Sequence, residues 1–202
     1  MQELHTFTEG KLNIGTGNSG TDLIMLFVHA LFDLWEDIFG LHFQVIHSFA
    51  CDNAPVSQAF LQAHWKPGFL FQEMAEVAEG GMAHDVLSDA PQPVPSVFMW
   101  AAGIECDTLS LLNTQSRVGE GVVSSGEGKT GTSAQWTLRF VETRFPEVVL
   151  LECVRGLANS AKPVTPGCGN PKQSDIDAIV EWLNLRLSRQ PEPPTLKSPE
   201  QA

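Results

Sequence analysis

Basic residues are scarce where acids are common. Residues 1–116 hold only Lys11 and Lys66 against fourteen acids, residues 117–202 balance ten with ten, and the net charge is −12. A nucleic-acid binder ordinarily displaces counterions with a basic face, so this balance argues against nucleic acid as a partner of the chain alone. Long apolar runs are lacking too. The longest, Leu23 to Phe32, is ten residues with His29 inside it, whereas a membrane span needs about twenty. Met1 to His5 carry no basic stretch leading into an apolar one, so no signal peptide is expected. The four cysteines, at 51, 106, 153 and 168, form no CxxC pair. That argues against a disulfide framework or a zinc knuckle and for reduced thiols. The six histidines show no paired metal spacing, and no N-x-[ST] sequon occurs. The expectation is a soluble intracellular protein, nuclear or cytoplasmic, with no metal and no membrane partner.

What is present reads as one globular domain: 202 residues, 43% apolar and 18% charged. Lys11 to Ile14 reads as a short strand running into the glycine-rich GTGNSG at 15–20. An apolar-rich helix follows from about Asp22 to Phe39, with Thr21 as its cap. Gln44 to Cys51 reads as a second strand, and Pro55 suits the first turn of a helix to about His64. Phe69 to Phe71 make a third strand and Glu73 to Glu79 a helix, after which Pro91, Pro93 and Pro95 mark a loop. Ser96 to Ala102 and Glu147 to Leu151 read as apolar strands buried on both faces of a parallel sheet. Between them, 103–131 reads as a long mobile glycine-rich loop, and Ser133 to Arg144 as a helix. A last helix covers about Ser174 to Leu187, and a proline-rich disordered tail ends the chain. Five strands alternating with helices predict an α/β fold: a parallel sheet with helices on both faces.

Two sets of residues could carry chemistry. GTGNSG is a literal GxGxxG between a strand and a helix, a place where backbone can approach a nucleotide-type cofactor at a helix N-terminus. Asp52 ends the next strand, where an acid would grip ribose hydroxyls; it could equally only open the turn before Pro55. Cys106 and Glu152 follow two neighbouring strands at their carboxyl ends. There a thiol and a carboxylate could act as nucleophile and proton donor, or simply pack. A nicotinamide-cofactor reading fits poorly: its ribose acid belongs about 20 residues past the glycines, and Asp52 lies 32 past Gly20. Gly128-Lys129-Thr130 fails as a P-loop because Val123 stands where the first glycine belongs.

The order of these motifs resembles the catalytic domain of cytosine-C5 DNA methyltransferases. Asn18-Ser19-Gly20-Thr21-Asp22 is similar to that family's first motif, and Phe49-Ala50-Cys51-Asp52 to its acid-ended second strand. Leu70-Phe71-Gln72-Glu73-Met74 is similar to its third, with Glu73 where an Asp normally meets adenine. Gly103, Cys106 and Ser110 match the nucleophile motif, and Leu150-Leu151-Glu152-Cys153-Val154 matches Leu-Glu-Asn-Val except at Cys153. The resemblance covers about 11–188. It implies a Rossmann-like methyltransferase fold and S-adenosyl-L-methionine as cofactor, held by Asn18, Ser19, Gly20, Thr21, Asp52 and Glu73. It further implies that the Cys106 thiolate adds to C6 of a flipped cytosine while Glu152 contacts N3 and the exocyclic amine, before methyl transfer to C5.

Three departures stand out. Glu105 replaces the family's proline, so Cys106 lies between Glu105 and Asp107, whose charges disfavour a thiolate. Cys153 replaces the asparagine. The later motifs, which supply target recognition, basic surface and the last strands, are not found, so the expectation is a truncated catalytic domain over 1–188 with its C-terminal strands missing and a tail over 189–202. The expected substrate is DNA, or transfer RNA as in one branch of the family, with a completing protein chain supplying the rest. A degenerate, inactive binding module is the alternative.

Overall fold

The computed structural model describes residues 8–18, 20–105, 122–126, 128–153 and 175–187. Its centre is β1, Lys11–Gly17, which begins with buried Leu12 and Ile14 between exposed Lys11 and Asn13 and ends fully buried. That change follows from its neighbours. β1 pairs in parallel with β2 (Gln44–Cys51) along its length and with β6 (Met99–Gly103) only from Ile14 onward. The remaining strands are β3 (Phe69–Phe71), β4 (Met82–Asp85), β5 (Ala90–Pro93) and β7 (Val148–Glu152), in the order β5-β4-β3-β2-β1-β6-β7. Winding reverses at β1, and such switch points leave a crevice outside the carboxyl ends of the strands.

Helices cover both faces. On one lie α1 (Leu23–Phe39) and α2 (Pro55–His64), packed through Met25, Val28 and Leu61. On the other, α3 (Met74–Glu79) and α5 (Gly128–Arg144) close an aromatic core of Phe49, Phe71, Trp100 and Phe140. Trp100 and Phe140 stack with ring centroids 4.1 Å apart. The short α4 (Val122–Ser125) and α6 (Asp175–Leu187) pack with α5 through Val123, Leu138 and Ile179.

Several expectations need correction. Seven strands stand among the described residues, where five were expected, and the sheet is only mostly parallel. The proline-rich stretch is not all loop: β5 pairs antiparallel with β4, which pairs antiparallel with β3. Prolines are tolerated there because β5 is an edge. Asp85 secures the hairpin by accepting the Leu70 amide at 2.8 Å and the Ser88 hydroxyl at 2.7 Å. β7 is not buried on both faces. Among the described strands it is the other edge, with Val149 and Leu151 turned to the core and Val148, Leu150 and Glu152 exposed. The presumed loop over 103–131 contains α4 and the first turn of α5, while 106–121 lie outside the described residues, as does the tail.

Candidate cofactor and catalytic site

The glycines of GTGNSG divide into two roles. Gly15 and Gly17 belong to β1, not to the turn after it. A Cβ at 15 would come within 2.6 Å of the Phe49 ring, and one at 17 within 2.5 Å of the Trp100 ring. They make room for aromatic core. The expectation that they bring backbone to a cofactor is therefore corrected, and the literal GxGxxG loses its force. Only Gly20 sits in the turn, at φ +62° with open space where a Cβ would be.

The turn after β1 is tight: Asn18, Gly20 and Asp22 all have positive φ. Its first amide, Asn18 N–H, donates to Cys51 carbonyl oxygen at 2.8 Å. The Gly20 amide donates to Asp52 Oδ2 at 3.2 Å, and Asp52 Oδ1 accepts the Ala54 amide at 2.9 Å. Asp52 thus holds the loop and opens the turn to α2 as well, with a lone pair left on each oxygen. Trp65 Nε1–H donates to the Thr21 carbonyl at 2.9 Å, and His29 stacks on the Trp65 ring at 6.3 Å. Thr21 is not the cap of α1. Asp22 occupies that position and makes no side-chain cap bond, because its carboxylate turns inward.

Asp22 is wholly buried. Thr16 Oγ1–H donates to Asp22 Oδ2 at 2.7 Å, and His47 Nε2 lies 3.0 Å from Thr16 Oγ1 and 3.4 Å from Asp22 Oδ2. Which of His47 Nε2 and Thr16 Oγ1 donates to the other follows the imidazole tautomer. Asp22 Oδ1 and His47 Nδ1 are buried without a hydrogen-bond partner. Burial pushes the Asp22 carboxyl up to about 7, against the pull of the Thr16 hydrogen bond and with a smaller push from Asp52. Burial likewise drives the His47 imidazole down to about 4, with His29 adding to it. Low polarity beneath the turn favours two neutral groups over a separated ion pair.

At the carboxyl ends of β1, β6 and β7 three expected positions meet. A Cβ on Gly103 would collide with the Asn18 carbonyl oxygen and would lie 3.6 Å from Glu152 Oε2. Gly103 and Glu152 are register partners across β6 and β7, and the Ile104 amide donates to the Glu152 carbonyl at 2.9 Å. Ser133 of α5 ties the arrangement together: its Oγ lies 3.2 Å from Asn18 Nδ2 and 3.2 Å from the Glu105 amide, accepting from both.

A recess of about 350 Å³ opens beside this point, walled by Asn18, Asn53, Gln72, Glu73, Glu105, Lys129, Ser133 and Trp136 among others. Glu73 precedes α3 without spending its carboxylate on a cap bond. The wall offers an indole face, amide side chains, two carboxylates and the Lys129 side chain. Gly20, Thr21 and Asp52 do not themselves line the recess. A second recess, about 370 Å³, lies on the α1 side of the sheet and takes in Glu152, Gly103, Leu150 and Phe27. Glu152 therefore faces a different space from Glu73, with Gly103 and Asn18 between them. Ser19 and Cys106 lie outside the described residues. Among those that are described, no group of His, Cys, Asp and Glu could hold a metal, and no helix is long and apolar enough to cross a membrane. Cys51 is a buried thiol that forms no disulfide.

Sequence reasoning missed Ser133, Asn53, Trp65 and the Thr16–Asp22–His47 cluster. Ser133, Trp65 and His47 act through partners distant in the chain and Asn53 lines the recess, and no local spacing announces any of them.

No protein-family model matches the chain. Over 147 residues it is 27% identical to a protein of Cryptococcus neoformans var. grubii named DNA (cytosine-5-)-methyltransferase DMT5. The match takes in 71% of this chain and 6% of that protein. It supports a diverged relationship to a cytosine methyltransferase, and with it a transferase class; the chain spans a small fraction of the relative's length.

Proposed function

We propose that this chain carries the cofactor-binding and catalytic part of an S-adenosyl-L-methionine-dependent cytosine-C5 methyltransferase. The observation that carries the reading is the meeting of Asn18, Gly103 and Glu152 at the ends of three parallel strands, beside a polar recess that Glu73 and Asn18 share. On this reading Asn18, Ser19, Gly20 and Thr21 receive the cofactor, Asp52, which accepts the Gly20 amide, offers its spare lone pairs to the ribose, and Glu73 accepts the adenine amine. The cofactor, when bound, supplies a methyl group for C5 of cytosine. The Cys106 thiolate adds to C6, and Glu152 in its protonated form donates to N3, so that the electron pair of the C5–C6 double bond is left available at C5. After methylation, a water molecule takes the C5 proton, the C6–S bond breaks to release Cys106, and N3 returns its proton to Glu152, which restores the ring. The base must leave its stack to reach these groups. The substrate is DNA, with a transfer-RNA cytosine as the variant, and the compartment is intracellular.

A second reading has its own support. Glu105 sits on the wall of the recess, its amide fixed by Ser133, and it directly precedes Cys106 in the chain, where a neighbouring negative charge disfavours a thiolate. A chain that keeps the cofactor site and has lost the chemistry would serve as a binding module. The test is calorimetric titration with S-adenosyl-L-methionine of the wild type, Gly20→Val, Asp52→Ala and Glu73→Ala. Saturable binding that Glu73→Ala weakens at least tenfold, and that Gly20→Val abolishes, is expected. Absence of binding by the wild type at millimolar cofactor would overturn both readings.

A further inference from the structure

α1 has two apolar faces, and the fold uses one. Met25 and Val28 face the sheet and are buried. The opposite side carries Leu23, Phe27, Leu34 and Ile38, 68%, 61%, 52% and 60% exposed. At 100° per residue these fall within a sector of about 60°, with Leu26, also more than half exposed, at its margin. A helix that is apolar on both sides is ordinarily buried on both, and contiguous exposed apolar surface marks a contact site.

The stripe does not stop at α1. Leu23 and Phe27 share a recess with Ala101, Ala102 and Leu150, so it runs across the sheet to β7. There Val148 and Leu150 are exposed on the same face, and β7 pairs only with β6 among the described strands. Parallel sheets are normally covered on both faces, and among the described residues no element fills the layer over β6 and β7 on the α1 side. Charge selects what can fill it. Asp33 and Asp37 border the stripe on one side and Glu36 lies beyond them, all exposed, with no lysine or arginine on α1. A second copy would bring the same acids to the same border and a net charge of −12, and an anionic lipid surface would be repelled as well.

We propose that the groove between α1 and β7, with the outer face of α1, docks a second and different polypeptide that presents an apolar helix bordered by lysine or arginine. The proposal rests on the methyltransferase reading only for the idea that a completing chain exists; the surface itself is read from exposure and charge.

The test uses the full chain without cofactor, so its outcome is separate from that of the cofactor titration. The probe is a fluorescent amphipathic Leu/Lys helix of about 18 residues, matching a stripe about 23 Å long at 1.5 Å per residue. Fluorescence anisotropy should show saturable one-to-one binding, at least tenfold weaker for Phe27→Glu, for Leu26→Glu and for a Leu/Glu version of the probe. Both side chains are mostly exposed, so unchanged thermal unfolding should confirm that the variants fold. A lysine peptide held by general acidity would bind the glutamate variants more tightly, so equal or tighter binding overturns the proposal. So does equal binding of the Leu/Glu probe. Light scattering that shows a wild-type dimer dissociated by Phe27→Glu would assign the surface to a second copy, and sedimentation with phosphatidylserine vesicles that Phe27→Glu abolishes would assign it to a membrane. Either result overturns the proposal.

Discussion

At the scale of single residues, the turn after β1 is set by a proton that changes place on folding. In the unfolded chain between about pH 4 and 6.5, Asp22 is ionised and His47 protonated. In the fold, Asp22 at about 7 keeps a proton and His47 at about 4 does without one. Asp22, raised, contributes stability that is full below its unfolded value and fades as pH rises through 7. His47, depressed, contributes stability that is full above 6.5 and fades as pH falls through 4. Between these limits the two slopes cancel, because both states bind one proton. Removing one partner should expose the other. Relative to wild type, Asp22→Asn should lose stability on acidification from pH 6.5 to 4, and His47→Asn should lose it as pH rises from 4 to 7. Each change should be on the order of 2 kcal/mol, read from urea midpoints at each pH. Parallel profiles for all three proteins would mean that the buried pair does not titrate in this way.

At the scale of elements, α5 does more than cover the core. Its buried stripe of Thr130, Ser133, Ala134, Thr137 and Leu138 brings one hydroxyl to the point where the turn after β1 meets the start of the segment carrying Cys106. Ser133→Ala would leave Asn18 Nδ2 and the Glu105 amide short of an acceptor, a loss of about 1–3 kcal/mol for partly buried donors. Urea unfolding should show that loss, and Ser133→Thr should recover most of it by keeping the oxygen. A Ser133→Ala protein as stable as wild type would mean water replaces the hydroxyl. β7 carries the complementary lesson. Its five apolar or edge-compatible residues read as a doubly buried strand, since Val-Val-Leu-Leu looks the same whether or not a further layer covers it. Only the order of strands makes it an edge, and only exposure shows one face bare.

At the scale of the whole molecule, the acidic balance outweighs any local feature that would touch a phosphate backbone. This chain alone should show no saturable binding to a short cytosine-containing duplex in anisotropy titrations at low salt, where counterion release is most favourable. Tight, salt-sensitive binding by the isolated chain would sink that expectation and make a completing basic partner unnecessary. Recognition of nucleic acid, on the proposed function, belongs to the assembled protein.

Hydrophobic patterning was enough to place most of the strands and helices, because apolar spacing and the residues that break it are local properties. The runs at Gln44 to Cys51, Pro55 to His64 and Phe69 to Phe71 stand where the pattern puts them, and Asn18, Asp52, Glu73, Gly103 and Glu152 stand at strand ends as their order implies. The proline-bearing β5 was illegible, since edge pairing depends on a partner strand and not on propensity. The roles of Gly15 and Gly17 were misread for a related reason: a glycine needed by an aromatic ring on a neighbouring strand is written in the sequence just as one needed by a cofactor. Ser133, Trp65 and the Thr16–Asp22–His47 cluster were silent in the sequence, being contacts between residues 31 to 115 positions apart or, for Thr16 and Asp22, buried under a turn whose geometry was unknown. Local chemistry thus determined which elements form and which residues end them. Burial, close approach and the state of each buried proton were decided only when the sheet brought its strands together.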